Sequence, residues 1–172
     1  MKKILVAVDM QKDFIDGSLG TPEAQQITEE VVRAIREGGY DKVYATMDTH
    51  GPDYLKTEEG RNLPVEHCIR GTDGWQFPAE IREALTEAGA EVIEKPAFGS
   101  LVLTEKVREE APDEIVLCGL CTDICVISNA LLLKAACHEA QMKVIAAACA
   151  GVTPEAHEAA LKVMQSCQIE II

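Results

Sequence analysis

The sequence predicts an α/β fold, a single-domain doubly wound sandwich with a six-stranded parallel sheet of the Rossmann-like type. Short apolar runs rich in Val and Ile alternate with helical patterns along the 172 residues. The runs lack an apolar–polar alternation, which indicates strands buried on both faces of a parallel sheet. No linker or internal repeat interrupts the six strand–helix repeats, so we expect one domain over residues 1–172.

Each strand is expected where a short apolar run ends at a turn or polar residue. The first run ends at Asp9, Gly38 and Gly39 precede the second, and Gly119 follows the fourth. Between the runs, apolar residues recur at helical spacing, and Pro22 and Pro154 mark helix starts. Strands are predicted at 4–8, 42–46, 92–93, 115–117, 143–147 and 169–172, and helices at 22–36, 77–88, 101–109, 122–138 and 154–165. The longest irregular segment, 48–74, has the length of a functional loop.

Charge and cysteine content restrict the partners and the compartment. A net charge of −13 and a pI near 4.7 oppose binding to nucleic acid or to an anionic membrane. No segment is long enough to span a bilayer. The seven cysteines are odd in number and lack disulfide-framework spacing. We therefore expect a reduced, cytoplasmic protein with a small-molecule substrate.

Reactive side chains follow four of the predicted strands. Asp9 follows the first strand, Asp48 and His50 the second, Lys95 the third and Cys125 the fourth. In open parallel sheets, ligands bind outside the carboxyl ends of the strands. An acid, a metal-type pair, a base and a nucleophile are therefore expected at one edge.

Cys125 is the candidate nucleophile. The chain turns through Gly119 and enters a helix with Thr122 as the expected N-cap, which places Cys125 in the first turn. Unpaired N–H groups and the helix dipole there favour a thiolate. Another reading is that Cys118, Cys121 and Cys125 are small core residues. Their spacing would also suit a structural zinc cluster on one helix face, but Gly119 and the strand-to-helix turn break that face.

Asp9, Lys95 and Cys125 together suit nucleophilic attack on an amide carbonyl. Asp9 would take the thiol proton, Lys95 would stabilise the thiolate or the oxyanion, and backbone N–H groups at 120–125 would bind the oxyanion. Taken singly, Asp9 could instead cap a turn, and Lys95 could be a solvated strand end.

The long loop holds a candidate metal site. Asp48 and His50 lie two residues apart in an extended segment, with Glu58 or Glu59 and then His67 further along. Nitrogen and oxygen donors suit Zn²⁺, Mn²⁺ or Fe²⁺. The alternative is a set of solvated loop residues.

The order of the motifs resembles a known family over essentially the whole chain. The matching segments are Val8-Asp9-Met-Gln-Lys-Asp-Phe14 with Gly17-Ser18-Leu19, Asp48-x-His50, Leu63-Pro64 before His67-Cys68, Lys95, and Gly119-x-x-Thr-Asp-x-Cys-Val126. This pattern is similar to the isochorismatase-like cysteine hydrolases and, within them, most similar to nicotinamidases.

The resemblance implies an amidohydrolase that converts nicotinamide, or a similar small amide, to the acid and ammonia. Cys125 would form a thioester, Asp9 would act as base and then acid, and Lys95 would pair with both. The Leu120–Cys121 peptide would be cis, with the N–H groups of Cys121 and Cys125 facing the oxyanion. The substrate pocket would include Phe14 and Leu120.

The resemblance also implies a cofactor and an assembly. A divalent metal, generally zinc, would be held by Asp48, His50, Glu59 and His67 and would bind the pyridine nitrogen. The protein would be a homo-oligomer, and NAD salvage would be its pathway.

The chain also departs from the family pattern. Asp53-Tyr54-Leu55 stands where many nicotinamidases have a third metal histidine, and Leu63 stands where an aromatic residue often supplies a stacking surface. Trp75 is a candidate to supply that surface from another part of the chain, or a structural residue of a Gly-rich turn. Another small amide or carbamoyl substrate is therefore an alternative. A non-catalytic binding or redox protein on this scaffold is an alternative of a different class. Isochorismatases proper lack the nucleophilic cysteine, so Cys125 argues against their reaction.

Overall fold

The computed structural model describes all 172 residues and contains six strands. They are β1 (Lys3–Val8), β2 (Lys42–Asp48), β3 (Glu91–Lys95), β4 (Glu114–Leu120), β5 (Gln141–Ala150) and β6 (Glu170–Ile171). All pair in parallel in the order β3-β2-β1-β4-β5-β6. The predicted fold class is confirmed.

Eight α-helices connect and cover the strands. They are α1 (Lys12–Ile15), α2 (Pro22–Gln26), α3 (Thr28–Glu37), α4 (Glu58–Asn62), α5 (Ala79–Glu87), α6 (Leu101–Glu109), α7 (Ile127–Ala136) and α8 (Pro154–Ser166). Helix α3 packs against α5, whereas α6 packs against α7 and α7 against α8. No helix combines the length and apolar character needed to cross a membrane.

The strand order reverses between β1 and β4. From β1 the chain runs outward through β2 and β3, then returns to β4 on the other side of β1 and continues to β5 and β6. β4 is buried along its whole length, and β1 is buried from Ile4 onward. The crevice at the carboxyl ends of these two strands is the expected ligand position in such a sheet.

Two predicted helices are divided in the structure. The helix predicted at 22–36 forms α2 and α3, which meet at Ile27, and Thr21 caps the first of them through the N–H of Ala24. The helix predicted at 122–138 begins with a wide π-type turn over Thr122–Val126 before α7.

Thr122 was expected to be the N-cap of this helix, but it does not have that role in the structure. Cys121 occupies that position, and the Thr122 hydroxyl lies 2.8 Å from Nδ1 of His157 on α8. The segment 48–74, expected to be irregular, contains a 3₁₀ turn at Tyr54–Lys56 and helix α4. These short elements depend on local caps, such as Thr57 accepting from the N–H of Gly60, rather than on a hydrophobic period.

Gly119 is required where β4 passes β1. Its φ is +117°, and a Cβ atom there would lie 2.1 Å from the carbonyl oxygen of Val8. We predict that Gly119→Ala lowers the free energy of unfolding by at least about 3 kcal/mol, because the added methyl meets backbone in a disfavoured conformation. Urea denaturation measures this. The control is Gly39→Ala, with φ +64° but no atom within 4 Å, which should cost about 1–2 kcal/mol. Equal losses in the two variants would contradict the close approach.

Candidate active site

Three buried side chains meet at the carboxyl edge of the sheet. Asp9 follows β1, Lys95 is the last residue of β3, and Cys125 lies in the π-type turn after β4. The Lys95 ammonium lies 2.7 Å from Oδ2 of Asp9 and 3.4 Å from Sγ of Cys125. The structure therefore brings together the residues that the sequence placed at separate strand ends.

The Asp9 carboxylate and the Lys95 ammonium each make a further hydrogen bond. The Thr46 hydroxyl donates to Oδ1 of Asp9 at 2.6 Å, and Lys95 Nζ donates to the carbonyl oxygen of Ala97 at 2.9 Å. Buried charges are stable only when they are paired and hydrogen-bonded. These contacts fix the carboxylate and the ammonium in place beside the thiol.

Burial sets the proton affinities of the group. Burial raises the pKa of Asp9 above its ordinary value, although Lys95 opposes this. Burial would lower the pKa of Lys95, but Asp9 and Cys125 raise it, so the amine stays protonated. Burial also raises the pKa of Cys125, and the charge of Asp9 adds to this effect more than Lys95 offsets it.

Burial and the neighbouring carboxylate of Asp9 therefore favour the neutral thiol of Cys125. This is the opposite direction from the thiolate that a helix start favours, because both effects raise the pKa of the thiol. An acid with a raised pKa is a better proton acceptor near neutral pH than an ordinary carboxylate. Asp9 is thus suited to take the thiol proton when it is needed.

A cavity of 330 Å³ opens beside Cys125. This volume is at the lower end of the range for small-molecule sites. Its walls are mainly apolar, and the carboxylates of Asp48 and Glu59 and the imidazole of His67 also line it. The lining residues are Phe14, Leu19, Thr21, Asp48, Glu59, Leu63, His67, Phe98, Cys121, Ile124, Cys125 and Val152.

The structure places the two residues expected in the substrate pocket differently. Phe14 lines the cavity, but Leu120 is fully buried as the last residue of β4 and does not line it. Trp75 is also outside, with its Nε1 donating to the Thr49 hydroxyl at 2.9 Å. Phe98, from the loop after β3, supplies the second aromatic wall. The Leu120–Cys121 peptide is cis, as the family resemblance implied.

Four donor groups converge next to this cavity. Asp48, His50, Glu59 and His67 each offer one ligand atom, and these atoms all lie within 4.8 Å of one another. Asp48 Oδ2 lies 2.9 Å from Nε2 of His50 and 3.3 Å from Nε2 of His67. Oε1 of Glu59 lies 3.7 Å and 3.6 Å from the same two nitrogens.

The donor set suits a divalent metal ion. Ligand atoms at about 2.0–2.1 Å from tetrahedral zinc are separated by about 3.3 Å, close to the four carboxylate–imidazole distances given above. His67 Nδ1 lies 2.8 Å from the carbonyl oxygen of Val65, so its N–H points there and Nε2 faces the cluster. Burial would raise the pKa of Asp48, but the hydrogen bonds with His50 and His67 hold it below its ordinary value.

Glu59, rather than Glu58, belongs to this donor set. Oε1 of Glu58 accepts from the side-chain amide of Asn62 at 3.3 Å, along the exposed side of α4. The choice between the two glutamates could not be made from the sequence, because both follow Thr57 at the start of the same short helix.

The family model for the isochorismatase domain matches residues 3–172. The chain belongs to the isochorismatase family. Among solved structures, nicotinamidase/pyrazinamidase PncA from Bacillus subtilis is 30% identical, covers 99% of each chain and superposes with a TM-score of 0.85.

Two other isochorismatase-family comparisons bear on the site. The pyrazinamidase of Pyrococcus horikoshii, solved in complex with zinc, is 29% identical, with 100% of this chain and 99% of that chain covered and a TM-score of 0.79. N-carbamoylsarcosine amidase from Thermoplasma acidophilum is 30% identical, with 99% and 95% covered and a TM-score of 0.79. The protein is a hydrolase that resembles nicotinamidases.

Sequence reasoning missed three residues that shape this isochorismatase-family site. They are Gln11, Thr46 and Phe98. The fully buried Gln11 amide donates to the carbonyl oxygen of Asp48 and accepts from its N–H, both at 2.8 Å. Gln11 could have been selected from the sequence, because it lies two residues after Asp9 in the segment that matches the family pattern. Thr46 lies in an apolar strand and Phe98 in a loop, where one sequence gives no such signal.

We predict that Glu59→Ala weakens zinc binding by more than about tenfold, since it removes one of four donors. Titration of metal-free protein against a chromophoric zinc chelator measures the affinity. The matched control is Glu58→Ala, which should bind zinc as the unmodified protein does. Unchanged affinity in Glu59→Ala, or equal losses in both variants, would contradict the donor set.

Proposed function

We propose that the protein hydrolyses nicotinamide to nicotinate and ammonia through a thioester on Cys125. The observation that carries the proposal is the contact of Lys95 with Asp9 and Cys125 beside the histidine–carboxylate cluster of Asp48, His50, Glu59 and His67. Cys125 lines the same cavity as three members of that cluster. A nucleophile with its base, beside anchoring groups for a small ring, is the arrangement that amide hydrolysis requires. The similarity to nicotinamidases supports the same substrate.

Acylation begins with transfer of the Cys125 thiol proton to Asp9. Sγ then attacks the carboxamide carbon, and the backbone N–H groups of Cys121 and Cys125 donate hydrogen bonds to the negatively charged oxygen. Asp9 passes the proton to the departing nitrogen as the C–N bond breaks. Ammonia leaves, and the acyl group remains as a thioester on Cys125.

Deacylation uses the same groups in the reverse roles. Asp9, again a carboxylate, takes a proton from a water molecule that attacks the thioester carbon. The C–S bond breaks, Cys125 recovers its proton from Asp9, and the acid leaves. Lys95 remains an ammonium group throughout and stabilises the carboxylate and the transient thiolate.

Asp48, His50, Glu59 and His67 would hold a divalent metal ion, zinc in our proposal with Mn²⁺ or Fe²⁺ as alternatives. When bound, the ion supplies a Lewis acid that anchors the pyridine nitrogen of the substrate. The zinc complex of the Pyrococcus horikoshii relative supports this choice. Phe14 and Phe98 would contact the substrate ring from the apolar part of the cavity.

A carbamoyl compound is the second candidate substrate. Leu63 lines the cavity where an aromatic wall would favour a flat ring, and N-carbamoylsarcosine amidase is among the similar structures. We further propose one catalytic domain over residues 1–172, a homo-oligomeric assembly, a cytoplasmic location and a role in NAD salvage.

We predict that Cys125→Ser lowers ammonia release from nicotinamide by at least about 10³-fold, since a serine in this position is a far weaker nucleophile. A coupled ammonia assay on zinc-loaded protein measures this. Cys167→Ser, at a partly exposed cysteine after α8, is the control and should keep full activity. Comparable activity in Cys125→Ser would refute the nucleophile. Release from N-carbamoylsarcosine but not from nicotinamide would favour the second candidate.

A further inference from the structure

Asn129 is a fully buried amide on α7, four residues after the candidate nucleophile. Its Nδ2 donates to the carbonyl oxygen of Cys125 at 2.8 Å and to that of Phe98 at 3.1 Å. Its Oδ1 accepts from the N–H of Ser100 at 2.9 Å. Both polar atoms of the side chain are therefore used, and all three partners are backbone groups of two different segments.

The two segments are the turn that carries Cys125 and the loop after β3. That loop holds Phe98, which lines the cavity, and Ala97, whose carbonyl oxygen accepts from Lys95 Nζ at 2.9 Å. The same Nζ lies 3.4 Å from Sγ of Cys125. Thus the segments meet twice, once at the Asn129 amide behind the site and once at the Lys95 ammonium within it.

We propose that Asn129 is a positioning residue that fixes the Cys125 thiol relative to Lys95 and to the Phe98 wall. The inference rests on the proposed function for its catalytic consequence. An amide suits the task because it donates two hydrogens and accepts one in fixed directions. Without it, the hydrogen bonds from Asn129 that join the loop to the turn are lost, and Lys95 Nζ, with contacts to Ala97 and Cys125, remains as a polar link between them.

Displacement of the thiol affects chemistry more than binding. In the proposed mechanism the substrate is anchored at the histidine–carboxylate cluster, which Asn129 does not contact. Phe98 is only one of the two aromatic contacts to the substrate ring, so KM depends little on Asn129. A shift of about 1 Å at reacting atoms can cost about 10²-fold in rate. Loss of Asn129 therefore lowers kcat by roughly 10–100-fold and leaves KM within about twofold. The rate of Cys125 alkylation also changes, because contact with Lys95 affects its thiol pKa.

The test compares Asn129→Ala with Asn129→Asp. The second variant keeps an acceptor for the Ser100 N–H, but it replaces Nδ2 and its two donated hydrogen bonds by one carboxylate oxygen that faces two carbonyl oxygens. The control is Thr104→Val, which removes a buried hydroxyl that donates to the Ser100 carbonyl at 2.8 Å but does not contact Cys125. Measurements are kcat and KM for nicotinamide, the iodoacetamide labelling rate of the Cys125 peptide by mass spectrometry, and the melting temperature.

We expect both Asn129 variants to lose kcat at nearly constant KM and to change the labelling rate by at least about threefold, while Thr104→Val loses only stability. Wild-type kcat and labelling rate in a folded Asn129 variant would overturn the proposal, even if its melting temperature fell. Should Asn129→Ala not fold, Asn129→Asp decides the question alone. Labelling needs no substrate. It therefore tests the role of Asn129 even if the wild-type protein fails to hydrolyse nicotinamide.

Discussion

The buried ammonium group of Lys95 is the interaction on which the site depends. Lys95 is 1% exposed and reaches from β3 to Asp9 after β1 and to Cys125 after β4. An unpaired charge in that position would cost several kcal/mol, so the ammonium requires its carboxylate and carbonyl partners. The parallel strand order supplies them, because it brings the carboxyl ends of distant segments to one edge.

Asp48 joins the nucleophile to the donor cluster. One of its oxygens lies 3.9 Å from Lys95 Nζ, and the other lies between the imidazoles of His50 and His67. A substrate ring held at the cluster would therefore have its carboxamide directed to the thiol across a cavity of only 330 Å³. A cavity of this volume suits a compact amide substrate.

The sequence was sufficient for the fold class and for the convergence of Asp9, Lys95, Cys125 and the histidine–carboxylate cluster at one edge, because strand periodicity and the strand-end rule depend on local residues. Leu120 was expected in the pocket but is the last residue of β4, since the extent of that strand is set by pairing with β5 rather than by its own composition. The sequence also favoured a lowered pKa for the Cys125 thiol, whereas the structure raises it. Burial and the charge of Asp9 control it, and both depend on tertiary packing that a helix-start motif does not encode.

In the proposed mechanism, Asp9 keeps the proton on Cys125 at rest and accepts it during attack. The measurement that tests this most directly is the Asp9→Asn variant, assayed for both amide hydrolysis and iodoacetamide labelling of Cys125 at neutral pH. The account predicts faster labelling, because Lys95 then acts on the thiol without an opposing carboxylate, together with loss of hydrolysis. Slower labelling, or hydrolysis that persists without the carboxylate, would contradict it.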